Sequence, residues 1–380
     1  MSCKLFFGGV LLGLVFGESY LVKLRGQTRM EMHVHLASVA RLFEKRSSES
    51  AIKAVFEMGN MYHVHMAAGI VQVIQAMSEV EYIEQDSIIQ ADSFQKNVTW
   101  GLERISKRGK VLGMSHGYTY YGDGEGVDVY VVDTGIMVDH PEFEGRARFG
   151  ARFAGENDFD ESGHGTHCAG TVASKSYGVA KKASLVAVRV LDENGSGTTS
   201  GVIAGLHWAM LDRQGTRGNV ISMSLGGQVS LALNDMVDAA VQEGIVVVAA
   251  GGNNNDDACL RSPASALGAI TVGATDINDA RAFFSNYGSC IDIFAPGTAI
   301  MSTWNNGLTN SISGTSMAAP HVAGLAAILL STGTPRHQIS EAIKQLAVKN
   351  AIYDAGSESP NLLANNGAQP RSKCRRVKTK

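Results

Sequence analysis

Three short stretches of this 380-residue chain carry side chains suited to nucleophilic catalysis. Asp133 closes the apolar run VDVYVVD and is followed by Thr134 and Gly135, so a carboxylate stands at the end of a strand. His164 lies in SGHGTHCAGTVAS, where flanking glycines let the backbone pass close to other groups and a helix of small residues begins. Ser316 lies in SISGTSMAAPHVAG, a glycine-led turn that delivers a hydroxyl to the start of an apolar helix. The free N–H groups at such a start favour developing negative charge. Hydrolysis of an amide needs a nucleophile, a base to deprotonate it, a group to orient that base, and donors for the oxyanion. Ser316, His164 and Asp133 match the first three. For the fourth, VVVAAGGNNNDDA follows a buried strand and offers Asn253, Asn254 and Asn255, which spacing alone does not separate.

Each residue also has a plainer reading. Asp133 is a turn cap in many strand-to-loop junctions. Ser316, Thr315 or Ser313 equally suits a helix N-cap. His164 with His167 one turn onward is a metal pair in outline, but no HExxH helix or third ligand at suitable spacing accompanies it.

The elements that must position these residues follow from hydrophobic patterning. From Val127 onward, VDVYVVD, SLVAVRVL, NVISMSL, GIVVVAA, AITVGA and IDIFAPG read as buried strands bounded by Gly, Asn and Pro. TTSGVIAGLHWAMLD, SLALNDMVDAAVQEG and SMAAPHVAGLAAILLST between them have helical period. This alternation predicts an α/β fold: a parallel sheet with helices on both faces and the site at the carboxyl ends of the strands. Residues 18–92 form a separate pattern, with SYLVKLR, MYHVHM and VEYIEQD as strands and AAGIVQVIQAMS as a helix, which predicts a small α+β module. The polar segment ADSFQKNVTWGLERIS connects the two.

The composition excludes several classes. A chain that is 44% hydrophobic and 18% charged folds into a globule, and its length suits one large domain with a smaller one. A net charge of -3 gives no basic surface for a phosphate backbone, so nucleic acid is not an expected partner. GDGEG precedes its strand instead of following it, which removes the context for phosphate binding. Residues 1–17, with LFFGGVLLGLVF, have the order of a secretory signal cleaved after Gly17, and no later run predicts a membrane span. Five cysteines are too few for a disulfide scaffold. Cys259 and Cys290 are the expected bridge, and Cys168 is expected to be a small buried residue without nucleophilic duty. Residues 371–380 form a basic, solvated tail.

VVDTGI, GHGTHCAGT, SLGG, AAGGNNN and GTSMAAPHVAG, in that order, resemble the subtilisin superfamily, and residues 93–365 resemble its proteinase K branch. The resemblance implies a subtilisin-like catalytic domain over residues 93–370 and an endopeptidase of broad specificity. Asp133 would orient His164, the general base and then acid, Ser316 would be the nucleophile, and Asn253 the side-chain donor of the oxyanion hole. Residues 18–92 resemble the family's ferredoxin-like inhibitory propeptide, a folding aid released by self-cleavage near Asp92. Gly195, Ser196 and Gly197, with Ser224, Leu225, Gly226 and Gly227, resemble the two segments that pair with a substrate backbone. Thr198 and Thr199 follow GSG where relatives commonly carry a larger side chain, which implies a more open distal subsite. No cofactor is required for the chemistry. The family's structural calcium site corresponds here to the carbonyls of Leu267 and Ala269 and the carboxylate of Asp292. Gly251, where Ala is usual, implies a looser strand end at Asn253. The implied product is a secreted monomer, or alternatively a vacuolar one, acting on proteins and peptides. Asn97 and Asn194 stand in glycosylation sequons, the latter beside the expected cleft.

Overall fold

The structure, a computed structural model, describes residues 18–26, 28–46, 50–86, 93–111 and 117–368. The signal segment, the self-cleavage region near Asp92 and the basic tail lie outside the described residues. The chain divides into two compact units after residue 89.

The first unit runs β1 (Glu18–Leu24), α1 (Arg29–Arg46), β2 (Ala51–Phe56), β3 (Met61–Met66), α2 (Ala68–Gln75) and β4 (Val80–Gln85). Its four antiparallel strands lie in the order β2-β3-β1-β4, the ferredoxin-like arrangement of a βαββαβ chain. In β3, Tyr62, Val64 and Met66 are buried on one face while the alternate residues are only half-buried. They meet Met32, Leu36, Val39 and Phe43 of α1, whose spacing of four, three and four residues keeps one helical face on the sheet.

The elements of the second unit that build its sheet and site are α3 (Trp100–Ile105), β5 (Val127–Asp133), β6 (Ala147–Arg152), α4 (His164–Ala173), β7 (Ser184–Arg189), α5 (Thr199–Asp212), β8 (Gly218–Met223), α6 (Leu231–Gln242) and β9 (Val246–Ala250). They continue with β10 (Ile270–Thr275), β11 (Ile293–Pro296), α7 (Thr315–Ser331), α8 (Ile339–Leu346), β12 (Val348–Lys349) and β13 (Leu362–Leu363). Nine strands form one sheet in the order β12-β13-β11-β10-β9-β8-β5-β7-β6, parallel except for the β12–β13 pair.

Every residue of β5 is buried, and its side chains alternate between two cores. Val129 and Val131 face α4 and α7, whereas Tyr130 and Val132 face α5 and α6. A strand covered on both faces has no solvent side, which is why these runs are apolar throughout. Helix α7 is buried almost along its whole length, so the residues at its start are held by packing on every side. Cys259 and Cys290 are bonded, and Cys168 is free and buried, as the sequence suggested.

Candidate active site

Because β5, β7, β8 and β9 are parallel, their last residues share one edge of the sheet. Asp133 is the final residue of β5, Ser224 follows β8, and Gly251 to Asn255 follow β9. Helices α4 and α7 start at the same edge, with His164 and Thr315 as their first residues.

Asp133 is fully buried, and its Oδ1 lies 2.8 Å from His164 Nδ1 and accepts the Thr134 N–H at 2.7 Å. Its Oδ2 is buried without a partner, which leaves carboxylate charge available to the imidazole. Burial opposes charging of His164 and is the largest single influence, but the Asp133 charge and hydrogen bond outweigh it. The result is an imidazole held well above the ordinary histidine range. Cys168 Sγ approaches His164 Nδ1 to 4.0 Å. Its thiol is pushed up by burial and is uncharged near neutrality, so we assign the effect to Asp133.

The approach of these residues depends on Gly165. A Cβ there would fall 2.1 Å from the Gly135 carbonyl and 3.1 Å from Asp133 Oδ1, so any side chain would push β5 and α4 apart. The metal-pair reading of His164 and His167 does not hold geometrically. His167 Nε2 is 2.9 Å from the Ile300 carbonyl, and burial lowers that ring to about 4, so at neutral pH its N–H donates to this carbonyl.

Ser316 is the second residue of α7, whose N-cap is Gly314, so the hydroxyl has no capping duty. It donates to the Ser224 carbonyl at 3.1 Å. Pro320 lies within the helix and lacks the N–H that would bond the carbonyl four residues earlier, which is that of Ser316. That carbonyl instead accepts the Ser224 hydroxyl at 2.9 Å and the Cys168 thiol at 3.4 Å. The free cysteine therefore helps to hold the backbone of Ser316.

The three asparagines separate clearly. Asn255 Oδ1 accepts from Arg281 at 2.8 Å, and the Asn254 N–H donates to Asn286 at 2.9 Å. Asn253 Oδ1 accepts both the N–H and the hydroxyl of Thr315, at 2.8 and 2.9 Å, which fixes the amide with its NH2 on the other side. A Cβ on Gly314 would stand 3.5 Å from Asn253 Nδ2 and 3.5 Å from the Ser316 backbone N, so both donors border the same space at the start of α7. The expected looseness at Gly251 is not found. Its N–H donates to Val272 O and its carbonyl accepts from Asn286, both at 2.9 Å, and Ile291 fills the space of the missing methyl.

Asp160 has no place in the motif reading, yet it ties the site together. Its Oδ1 accepts the Thr134 hydroxyl at 2.8 Å and the N–H groups of Ser162 and Gly163, and its Oδ2 accepts the N–H and hydroxyl of Thr166. One carboxylate thus joins the residue after Asp133 to the first turn of α4. Its sequence signal is an Asp with N–H partners two, three and six residues on, the pattern of a carboxylate capping a helix entry.

A groove of about 760 Å³ runs from His164 between two backbone segments, Gly195–Gly197 on one side and Ser224–Gly227 on the other. Both predicted segments therefore line one cleft, together with Asn194 and Thr199. Thr198 lines it as well and also caps α5, accepting the Gly201 N–H at 3.0 Å.

At the residues expected to hold calcium, the carboxylate already meets a cation of the chain itself. Asp292 Oδ2 accepts the Thr271 N–H at 2.9 Å and Oδ1 lies 2.7 Å from Lys344 Nζ, so the single carboxylate is already shared between two donors. A hard divalent cation takes oxygens from carboxylates, carbonyls and water and needs uncompensated negative charge, and a lone carboxylate with an ammonium on it does not fit one.

The subtilase family model matches residues 124–372, and the chain belongs to that family. It is 45% identical over 365 residues to "Subtilisin-like protease 2" of Pseudogymnoascus destructans, covering 92% of this chain and 89% of that protein. It is 46% identical over 338 residues to "Subtilisin-like serine protease Pen c 2" of Penicillium citrinum, covering 80% and 74%. Among solved structures, a cold adapted subtilisin-like serine proteinase matches with a TM-score of 0.68 at 44% identity, over 72% of this chain and all of that one. The protein is a subtilisin-like serine protease, and peptides are its substrate class.

Proposed function

We propose that this chain is a secreted serine endopeptidase of the proteinase K type, made as a zymogen that cleaves itself, with Asp133, His164 and Ser316 as its triad. The observation that carries the reading is His164 paired at 2.8 Å with the buried Asp133, at the sheet edge where the Asn253 amide and the Ser316 N–H border one space at the start of α7. An unrelated helix start has no reason to fix a side-chain amide there through its oxygen.

In the reaction the Ser316 hydroxyl turns from the Ser224 carbonyl to His164 Nε2, gives up its proton and attacks the scissile carbonyl. The oxyanion takes hydrogen bonds from Asn253 Nδ2 and the Ser316 N–H. His164 passes the proton to the leaving amine, and water repeats the sequence on the acyl-enzyme. Asp133 keeps the proton of the neutral ring on Nδ1 and offsets the charge of the imidazolium. Gly195–Gly197 and Ser224–Gly227 offer main-chain groups to an extended peptide, which favours broad sequence tolerance. Thr199 leaves the distal subsite open, so peptides with large groups there should be cut faster than those with small ones; equal rates would remove this point. The unit over residues 18–86 suits a propeptide, and no helix among the described residues is long and apolar enough to cross a membrane.

Asn253→Ala is expected to lower kcat by about 10²- to 10³-fold with little change in KM, the loss known for the equivalent donor of subtilisin itself. Steady-state kinetics on a peptide amide checks it, and a variant altered only in KM would remove Asn253 from the oxyanion hole. For the triad, a fluorophosphonate should label the enzyme at Ser316 in step with loss of activity. Inactivation with the label on another residue would overturn the assignment.

A further inference from the structure

Asp292 is fixed before β11 by a pair of bonds to one residue of β10: its N–H donates to Thr271 O and its Oδ2 accepts the Thr271 N–H, both at 2.9 Å. The remaining oxygen meets Lys344 Nζ at 2.7 Å. Lys344 stands in the last turn of α8, where Ile339 and Ile343 are buried and so set the helix register. An ammonium at this position also complements the carbonyls of the helix C-terminus. The pair lies in an open depression that Glu358 also lines, so water and ions reach it. At contact distance a positive charge within the chain competes directly with any cation for the same oxygen.

We infer that the ammonium of Lys344 is the resident cation of this site, tying α8 to the junction of β10 and β11 from within the chain, at residues where the family resemblance implied calcium. The lysine delivers its charge on a tethered stem, so the link does not depend on the calcium concentration outside. The loop 267–269, whose Gly268 N–H is separately held by Asp238 Oδ1 at 2.7 Å, needs no ion to close it.

The test uses the full chain with its peptidase activity blocked by a sulfonyl fluoride, so that autolysis does not obscure unfolding. Thermal transitions are followed by circular dichroism with excess chelator and with excess calcium, and calcium binding is measured by equilibrium dialysis. The parent protein and Asp292→Asn should respond identically to calcium, since any ion felt by both is bound elsewhere. Lys344→Met, which keeps most of the stem and removes the charge, should bind calcium at this site at least about tenfold more tightly than the parent. It should also gain a calcium-dependent rise in its transition that the Lys344→Met, Asp292→Asn double variant loses. A calcium response in the parent that Asp292→Asn lacks would overturn the inference, because the ion would then already share the carboxylate with the lysine. Failure of Lys344→Met to gain any binding would overturn it equally. The parent comparison stands even where the lysine variants do not fold.

Discussion

Ser316→Ala is expected to lower kcat by about a millionfold while KM for a peptide amide stays close to its original value. The size is that of the same deletion in subtilisin, a relative of this chain. What the geometry adds is that the loss should be chemical. The Ser316 hydroxyl makes one hydrogen bond, to the Ser224 carbonyl, and has no capping duty. The backbone that carries it stays anchored through the Ser316 carbonyl, held by Ser224 and Cys168. Helix α7 should therefore start as before, and the thermal transition of the variant should lie close to that of the parent. A second consequence separates the zymogen reading from the triad reading. If the enzyme releases its own N-terminal unit, the variant should accumulate as the full-length precursor, which mass spectrometry detects directly. Full activity in the variant would end the triad assignment, whereas a processed but inactive variant would end only self-processing.

Strands of the large sheet are legible in the sequence because burial on both faces makes them continuous apolar runs, as in VDVYVVD and GIVVVAA. Helix α1 is not, since Met30 and Val34 are exposed beside buried Met32 and Leu36, which blurs its apolar face. β6 escapes for a related reason. ARFGAR is a glycine-containing edge strand with no buried residue. The catalytic candidates are legible because glycines and small residues must surround them, as Gly165 illustrates. Asn253 is not separable from its two neighbours by spacing, and only the side-chain bonds to Thr315 distinguish it. Asp160 leaves no periodicity, because its work lies in accepting N–H groups of a loop. Lys344 and Asp292 are 52 positions apart, and nothing in either segment announces that an ammonium will meet that carboxylate.

Asp133→Asn is expected to cost about 10⁴ in kcat, the size seen when the orienting carboxylate of a serine protease triad becomes an amide and the imidazole takes the wrong tautomer. Its pH dependence distinguishes electrostatic from merely structural action. The base must be neutral to accept the Ser316 proton, so kcat/KM of the parent should fall as pH drops through a value above the ordinary histidine range. The stability linkage runs the opposite way. A folded-state value raised above the unfolded 6.5 means that the Asp133–imidazolium pair contributes its full stabilisation below about pH 6.5 and loses it as pH rises through the folded value. The protein therefore gains activity across the same interval in which it gives up that pairing. Asparagine removes the charge that opposes desolvation, leaving burial to push His164 down. The acid limb of kcat/KM in Asp133→Asn should accordingly move to lower pH, to or below the ordinary histidine value, even as the plateau falls. A pH–rate profile of both enzymes decides the matter. An unmoved limb would mean that Asp133 only orients the ring and that the raised value has another source.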